Sequence, residues 1–170
     1  QKNYDMAITF FDTSILYNPA FALAYFNRGI CQHKKGAFDL AKSNFNLSIE
    51  KDPSFHLAHY EMGLVFEEEG FVDMAIESYS NAIKINGKEA KYYYQRGVLV
   101  FQAADYEKAI QDFNQAISNK SNHAYAYNDR GSANLKLDDL DAAIEDYKKA
   151  TELNPKLDFA FNNLGSAYRK

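Results

Sequence analysis

The chain has 170 residues, 46% of them apolar and 25% charged, with a formal net charge of −4. That composition is of a folded protein with a core. The mild acidity, without any basic stripe around the isolated lysine pairs at 34–35 and 148–149, argues against a nucleic-acid partner, and no apolar run reaches the roughly 20 residues of a membrane-spanning helix.

Taken in chain order, the sequence begins with a helix-forming stretch, 1–21, that carries Ala7, Phe11 and Ser14 and stops at Asn18-Pro19. A second helix follows. Leu23, Phe26, Asn27 and Ile30 share one of its faces, and Tyr25, Gly29 and Gln32 another, at 3.6-residue spacing. After a break at Gly36, a third helix sets Phe38, Ala41, Phe45 and Ser48 on its buried side and ends at Asp52-Pro53. The same pair of helices then recurs over 56–89, 90–123 and 124–157. The breaks inside these pairs fall at Gly70, Ala104 and Asp138, and the boundaries after them at Asn86-Gly87, Lys120-Ser121 and Asn154-Pro155. A last first-type helix occupies 158–170.

The period is 34 residues throughout. Gly29, Gly63, Gly97, Gly131 and Gly165 form one column, and Ala7, Ala41, Ala75, Ala109 and Ala143 a second. Phe11, Phe45, Tyr79, Phe113 and Tyr147 form a third, and Ser14, Ser48, Ala82, Ala116 and Ala150 a fourth. Such a period defines a repeat array. The small residues imply a close crossing of the two helices, glycine facing the region of the alanine, with the aromatics filling the space beside it.

These residues resemble the tetratricopeptide repeat, whose period is 34 and whose pattern runs Trp, Leu-Gly, Tyr, then Ala, Phe, Pro. Tyr25, His59, Tyr93, Tyr127 and Phe161 stand at the tryptophan, and Arg28-Gly29, Met62-Gly63, Arg96-Gly97, Arg130-Gly131 and Leu164-Gly165 at the Leu-Gly pair. The tyrosine is kept as Phe66 and Tyr168 and lost at Gln32, Val100 and Asn134; the proline is kept at Pro19, Pro53 and Pro155. The resemblance covers essentially the whole chain. It implies an all-α fold, an alpha-alpha superhelix or right-handed solenoid of stacked helix pairs. The units are expected at 22–55, 56–89, 90–123 and 124–157, with the second helix of a truncated repeat at 1–21 and the first helix of another at 158–170. A first residue of Gln and two ends that cut through a unit suggest a piece of a longer array whose flanking repeats continue the stack.

Few residues suggest chemistry. Cys31 shares a column with Val65, Leu99, Ala133 and Ala167 and reads as a core thiol. A lone cysteine excludes an intrachain disulfide framework and fits a reducing, cytoplasmic setting. His56 and His59 are three apart on one helix, but His59 sits in an aromatic column without a nearby Cys or Asp, so a packed imidazole is expected and no metal. Glu67-Glu68-Glu69 reads as a helix end in solvent. No phosphate loop or nucleophile motif is present, and neither an enzyme nor a cofactor is expected. Arg96 with Asp112 and Arg130 with Asp146, each pair 16 apart, read as ion pairs between the two helices of a unit, in preference to a row of anion anchors.

The remaining function is binding. In the tetratricopeptide family the first helix of each unit lines a concave groove, and the matching positions here begin with Leu23, Phe26, Asn27, Ile30, Leu57, Tyr60, Glu61 and Leu64. They continue with Tyr94, Gln95, Val98, Phe101, Asn128, Asp129, Asn162 and Asn163. The N-terminal part of this surface is apolar and the C-terminal part amide, hydroxyl and acid. It suits a peptide or helical segment of a protein partner, with the polar column bonding that partner's backbone. The resemblance also argues against chaperone C-terminal tails, because the clamp positions hold Phe26, Ile30, Tyr60, Leu64 and Gln95, with Lys91 the one well-placed cation. Two alternatives stand beside this scaffold reading: an architectural part of a large assembly such as a cytoskeletal or ciliary one, and the targeting arm of an enzyme whose catalytic domain lies elsewhere.

Overall fold

The computed structural model describes residues 3–170, and among them every regular element is an α-helix. In chain order these are α1 (Tyr4–Tyr17), α2 (Ala22–Lys34), α3 (Phe38–Lys51), α4 (His56–Glu68) and α5 (Val72–Ile85). They continue with α6 (Ala90–Gln102), α7 (Tyr106–Asn119), α8 (Ala124–Lys136), α9 (Leu140–Leu153) and α10 (Asp158–Ala167). The helices fall into two compact units, one ending at Asn86 with α1–α5 and one running Gly87–Lys170 with α6–α10. The fold is an all-α array of helix-turn-helix repeats.

Seven of the helices stop for a visible local reason. The long helices α1, α3 and α9 end on Asn18, Asp52 and Asn154, whose side-chain oxygens accept the backbone N–H two residues on, at 3.2, 2.9 and 3.1 Å. These Asx turns hold the chain open around the proline in between. Inside the pairs, Gly36, Gly70, Ala104 and Asp138 all take a left-handed backbone, with φ of 76°, 80°, 62° and 63°. The next residue returns its N–H to a carbonyl five back, as in Ala37 to Gln32 at 2.9 Å and Asp139 to Asn134 at 2.9 Å. This closes the helix with a Schellman-type turn. Glycine enters that region freely and alanine does not. Replacing Ala104 by Gly should therefore stabilise the second unit by about 0.5–1 kcal/mol, read as a higher urea midpoint at unchanged slope.

Packing within a pair follows the columns, with one difference from the sequence expectation. A Cβ on Gly29, Gly63, Gly97 or Gly131 would fall 2.7, 2.5, 2.9 or 3.0 Å from the ring of Phe45, Tyr79, Phe113 or Tyr147. The aromatic ring, not the alanine, lies over the glycine, while Ala41 and Ala143 approach through their carbonyl oxygens at 3.3 and 3.1 Å. Those rings and the alanines Ala41, Ala75, Ala109 and Ala143 are buried. In the first unit Phe26, Ala41, Phe45, Ala58, Met62 and Val65 form one core. In the second, Ala124, Ala150, Leu157 and Ala160 pack at one end of α8–α10, and Ala143, Tyr147 and Ala167 at the other.

Two polar readings meet the structure differently. The arginine pairs form as expected: Arg96 Nε and Nη2 donate to Asp112 at 2.9 and 2.7 Å, and Arg130 Nε and Nη2 to Asp146 at 2.9 and 2.5 Å. Arg28 makes the matching bond to Asn44 at 2.7 Å, and its Nη1 reaches back to Asp12 at 2.6 Å. The acidic run does end α4, with Glu68 54% exposed, but its carboxylates are also engaged by neighbouring side chains. Glu67 accepts from Tyr79 Oη at 2.6 Å, Glu69 from Lys42 Nζ at 2.8 Å, and Glu68 lies 3.0 Å from Nε2 of the buried His33. Each carboxylate meets a different neighbouring helix, which a reading of one helix at a time does not reveal.

Candidate functional site

In the first unit the expected binding positions lie on α2 and α4. Leu23 is 41% exposed, while Asn27, Ile30, Leu57, Tyr60, Glu61 and Leu64 are half-buried. Phe26 is not on this surface. It is 7% exposed, with its ring 5.9 Å from that of Phe45 and 5.0 Å from that of Phe55. The Phe55 ring, which closes the turn before α4, covers it. Tyr60 leans on the buried Tyr79 at 5.7 Å, and burial pushes its hydroxyl up to about 12. It therefore stays a neutral hydrogen-bonding group at any ordinary pH.

In the second unit the positions lie on α6, α8 and α10. Tyr94, Gln95, Val98, Phe101, Asp129 and Asn163 are half-buried, and Asn162 is exposed. Asn128 is 3% exposed and does not face a partner. It donates through Nδ2 to Asp129 Oδ1 at 2.9 Å and accepts at Oδ1 from Asn163 Nδ2 at 3.0 Å. Tyr94 completes the chain, donating to Asp129 Oδ2 at 2.8 Å. Asp129 and Asn163 of the polar column are thus linked through Asn128 of the neighbouring column, and Tyr94 of that column also holds Asp129, so the chain spans three helices of the second unit. Burial pushes the Tyr94 hydroxyl far above its usual range, and it also raises the Asp129 carboxyl, against the pull of its hydrogen bonds from Asn128 and Tyr94. The Tyr94 ring rests 4.7 Å from that of His123, whose imidazole burial holds below its ordinary value.

Two exposed apolar residues on first helices escaped the sequence reading. Tyr125 and Phe159 are 47% and 39% exposed, with rings 6.0 Å apart. They occupy the column of Leu23 and Leu57, so the period alone placed them. The contrast between an apolar N-terminal and a polar C-terminal stretch hid them. Between α6, α7 and α8 lies a cleft of about 230 Å³, lined by Val98, Phe101, Gln102, Phe113, Asp129 and Ser132. The first unit has a second cleft of about 340 Å³ between α3, α4 and α5, where Ile49, Met62, Phe66 and Met74 supply the apolar lining and half-buried His59 stands beside them. Burial lowers the His59 imidazole's pKa, as suits a packed ring. Cys31 is a buried free thiol whose pKa burial raises. Among the described residues no three His, Cys, Asp or Glu side chains gather as a metal site would need, and no helix is long and apolar enough to cross a membrane.

Helices of 13 and 14 residues paired through a left-handed turn, with Gly29, Gly63, Gly97 and Gly131 each under the ring 16 positions on, define a helix-turn-helix repeat protein. Two family profiles, both described as tetratricopeptide repeat, match residues 60–122 and 124–157, together more than half of the chain. The chain belongs to the tetratricopeptide repeat family. That fold is in general a protein–protein interaction module and in general non-catalytic. No curated protein matches the sequence. Among solved structures, the crystal structure of MamA protein is 26% identical with a TM-score of 0.81, over 87% of this chain and 81% of that one. The first TPR of Spaghetti, solved with the HSP90 peptide SRMEEVD, is 26% identical with a TM-score of 0.65, over 67% of this chain and 90% of that one. YrrB, described as a TPR protein with an unusual peptide-binding site, shares the fold at 21% identity and a TM-score of 0.83, over 94% and 82%.

Proposed function

We propose that the chain is a non-enzymatic scaffold that holds a peptide or helical segment of a protein partner against the exposed face of its first helices. One observation carries the reading. In the column Leu23, Leu57, Lys91, Tyr125 and Phe159, the large apolar side chains of Leu23, Tyr125 and Phe159 are 39–47% exposed on first helices, on a fold that has no core use for them there. Half-buried Ile30 and Leu64 flank the column in the first unit, and Val98 and Phe101 in the second. Spaghetti holds an acidic peptide, but here the corresponding surface offers Glu61 and Asp129 and, of cations, the exposed Lys91. Chaperone C-terminal tails are therefore not the proposed cargo. A cytoplasmic setting fits the buried free thiol of Cys31.

The test is peptide display against the whole chain, followed by titration of a selected peptide. Leu64→Glu in the first unit and Tyr125→Glu in the second should each weaken that peptide at least tenfold, because a charge then faces an apolar anchor, while the circular dichroism spectrum is unchanged. Retained affinity in both variants would reject the face.

The architectural alternative has an observation of its own. Met6, Leu40 and Met74 share a column on second helices and are 57%, 56% and 51% exposed. An assembly that packs on this column responds to Leu40→Glu and Met74→Glu and ignores Leu64→Glu.

A further inference from the structure

The cleft between α6, α7 and α8 joins apolar walls to a single carboxylate. Val98, Phe101 and the buried ring of Phe113 supply the walls, and Asp129, Gln102 and Ser132 the polar lining. Asp129 is half-buried, yet no lysine or arginine pairs with it among the described residues. Its two oxygens take hydrogen bonds only from the neutral donors Tyr94 and Asn128, with the His123 imidazole close by and held towards its neutral form. The other buried carboxylates of the same unit, Asp112 and Asp146, each have an arginine. Asp129 is the exception, and a carboxylate half removed from water without a cation lowers stability unless something else requires it.

We propose that this cleft takes the side chain of a lysine from the partner segment. The inference rests on the reading of the first-helix face as a binding surface. The stem of a lysine is four methylenes ending in a compact charge, which matches apolar walls leading to one carboxylate. A cleft of about 230 Å³ has room for it. The Asp129 carboxylate, the Ser132 hydroxyl oxygen and the exposed Gln102 amide oxygen give the ammonium three acceptors for its three protons. Arginine fits less well. Its planar fork is matched to both oxygens of a free carboxylate, and here each oxygen already holds a donor in place. The cleft thus adds a charge rule to the apolar face, selecting a segment in which a lysine stands beside apolar anchors.

The experiment uses the whole chain, labelled with nitrogen-15, and three probes: the N-acetyl methylamides of lysine, norleucine and glutamate. Amide shifts at Val98, Asp129 and Ser132 should saturate with the lysine compound. They should need at least fivefold more of the norleucine compound, and should not move with glutamate. Asp129→Asn should bring lysine down to the norleucine level without lowering the urea midpoint, because the variant removes a charge that the fold holds at a cost. A lysine response equal to that of norleucine, or one that survives Asp129→Asn, overturns the lysine assignment and leaves the apolar binding face standing. If no probe moves these amides and a display-selected peptide still contacts Leu64 or Tyr125, the cleft alone is rejected. If neither binds, the face falls with it.

Discussion

Replacing Arg130 with Met is expected to destabilise the second unit by on the order of 3 kcal/mol, measured by urea unfolding, because it strands a buried charge. Asp146 is 5% exposed and takes two hydrogen bonds from Arg130, leaving only Asn134 Nδ2 at 3.0 Å once the guanidinium is gone. Arg130 Nη1 also bonds Asn114 Oδ1 at 2.5 Å, so the same side chain links α8 to the helix before it as well as to the helix after it. The loss should therefore exceed that of a pair on the surface, which contributes ~1 kcal/mol or less. Restoring an apolar match with Arg130→Met and Asp146→Leu together should recover most of the stability. The two single losses should exceed the double loss by about 2 kcal/mol. Additive losses would mean that the guanidinium acts through Asn114 and through its stacking on Tyr127, 5.3 Å from the ring centroid, and not through Asp146.

That pair was legible in the sequence because its two residues stand 16 apart in two consecutive units and a semi-buried arginine needs a counter-charge. What a column cannot convey is which neighbour completes it. The 34-residue spacing placed Gly29 close to a second helix, but the ring of Phe45 lies over it, and only the rotation of each helix decides that. Phe26 and Asn128 belong to the columns expected to line a binding face and are nonetheless buried, one beneath the Phe55 ring and the other inside the Asp129–Asn163 chain. Tyr125 and Phe159 sit in a plainly visible column, hidden because the positions one turn further on, Asn128, Asp129, Asn162 and Asn163, are polar. The repeat fixes a position's face. Exposure depends on side chains of other helices, in the same repeat as Tyr79 is for Glu67, or in the one before as His33 and Lys42 are for Glu68 and Glu69.

The same logic gives one column two opposite signs. Gly63→Ala should destabilise the first unit by about 2 kcal/mol, since the added methyl carbon would fall 2.5 and 2.7 Å from two carbons of the Tyr79 ring. That ring cannot turn aside. It is wholly buried, and its hydroxyl is fixed to Glu67 at 2.6 Å. Because alanine is otherwise the better helix former by about 1 kcal/mol, the overpacking must outweigh that gain before any loss is seen. Gly165 occupies the equivalent position on α10, where nothing lies within 4 Å of the added carbon. There the helix gain stands alone, and Gly165→Ala should stabilise the second unit by about 0.5–1 kcal/mol. Urea midpoints measured side by side test the pair. A stabilising Gly63→Ala would show that the Tyr79 ring has room to retreat, and the account of why glycine recurs every 34 residues would fail with it.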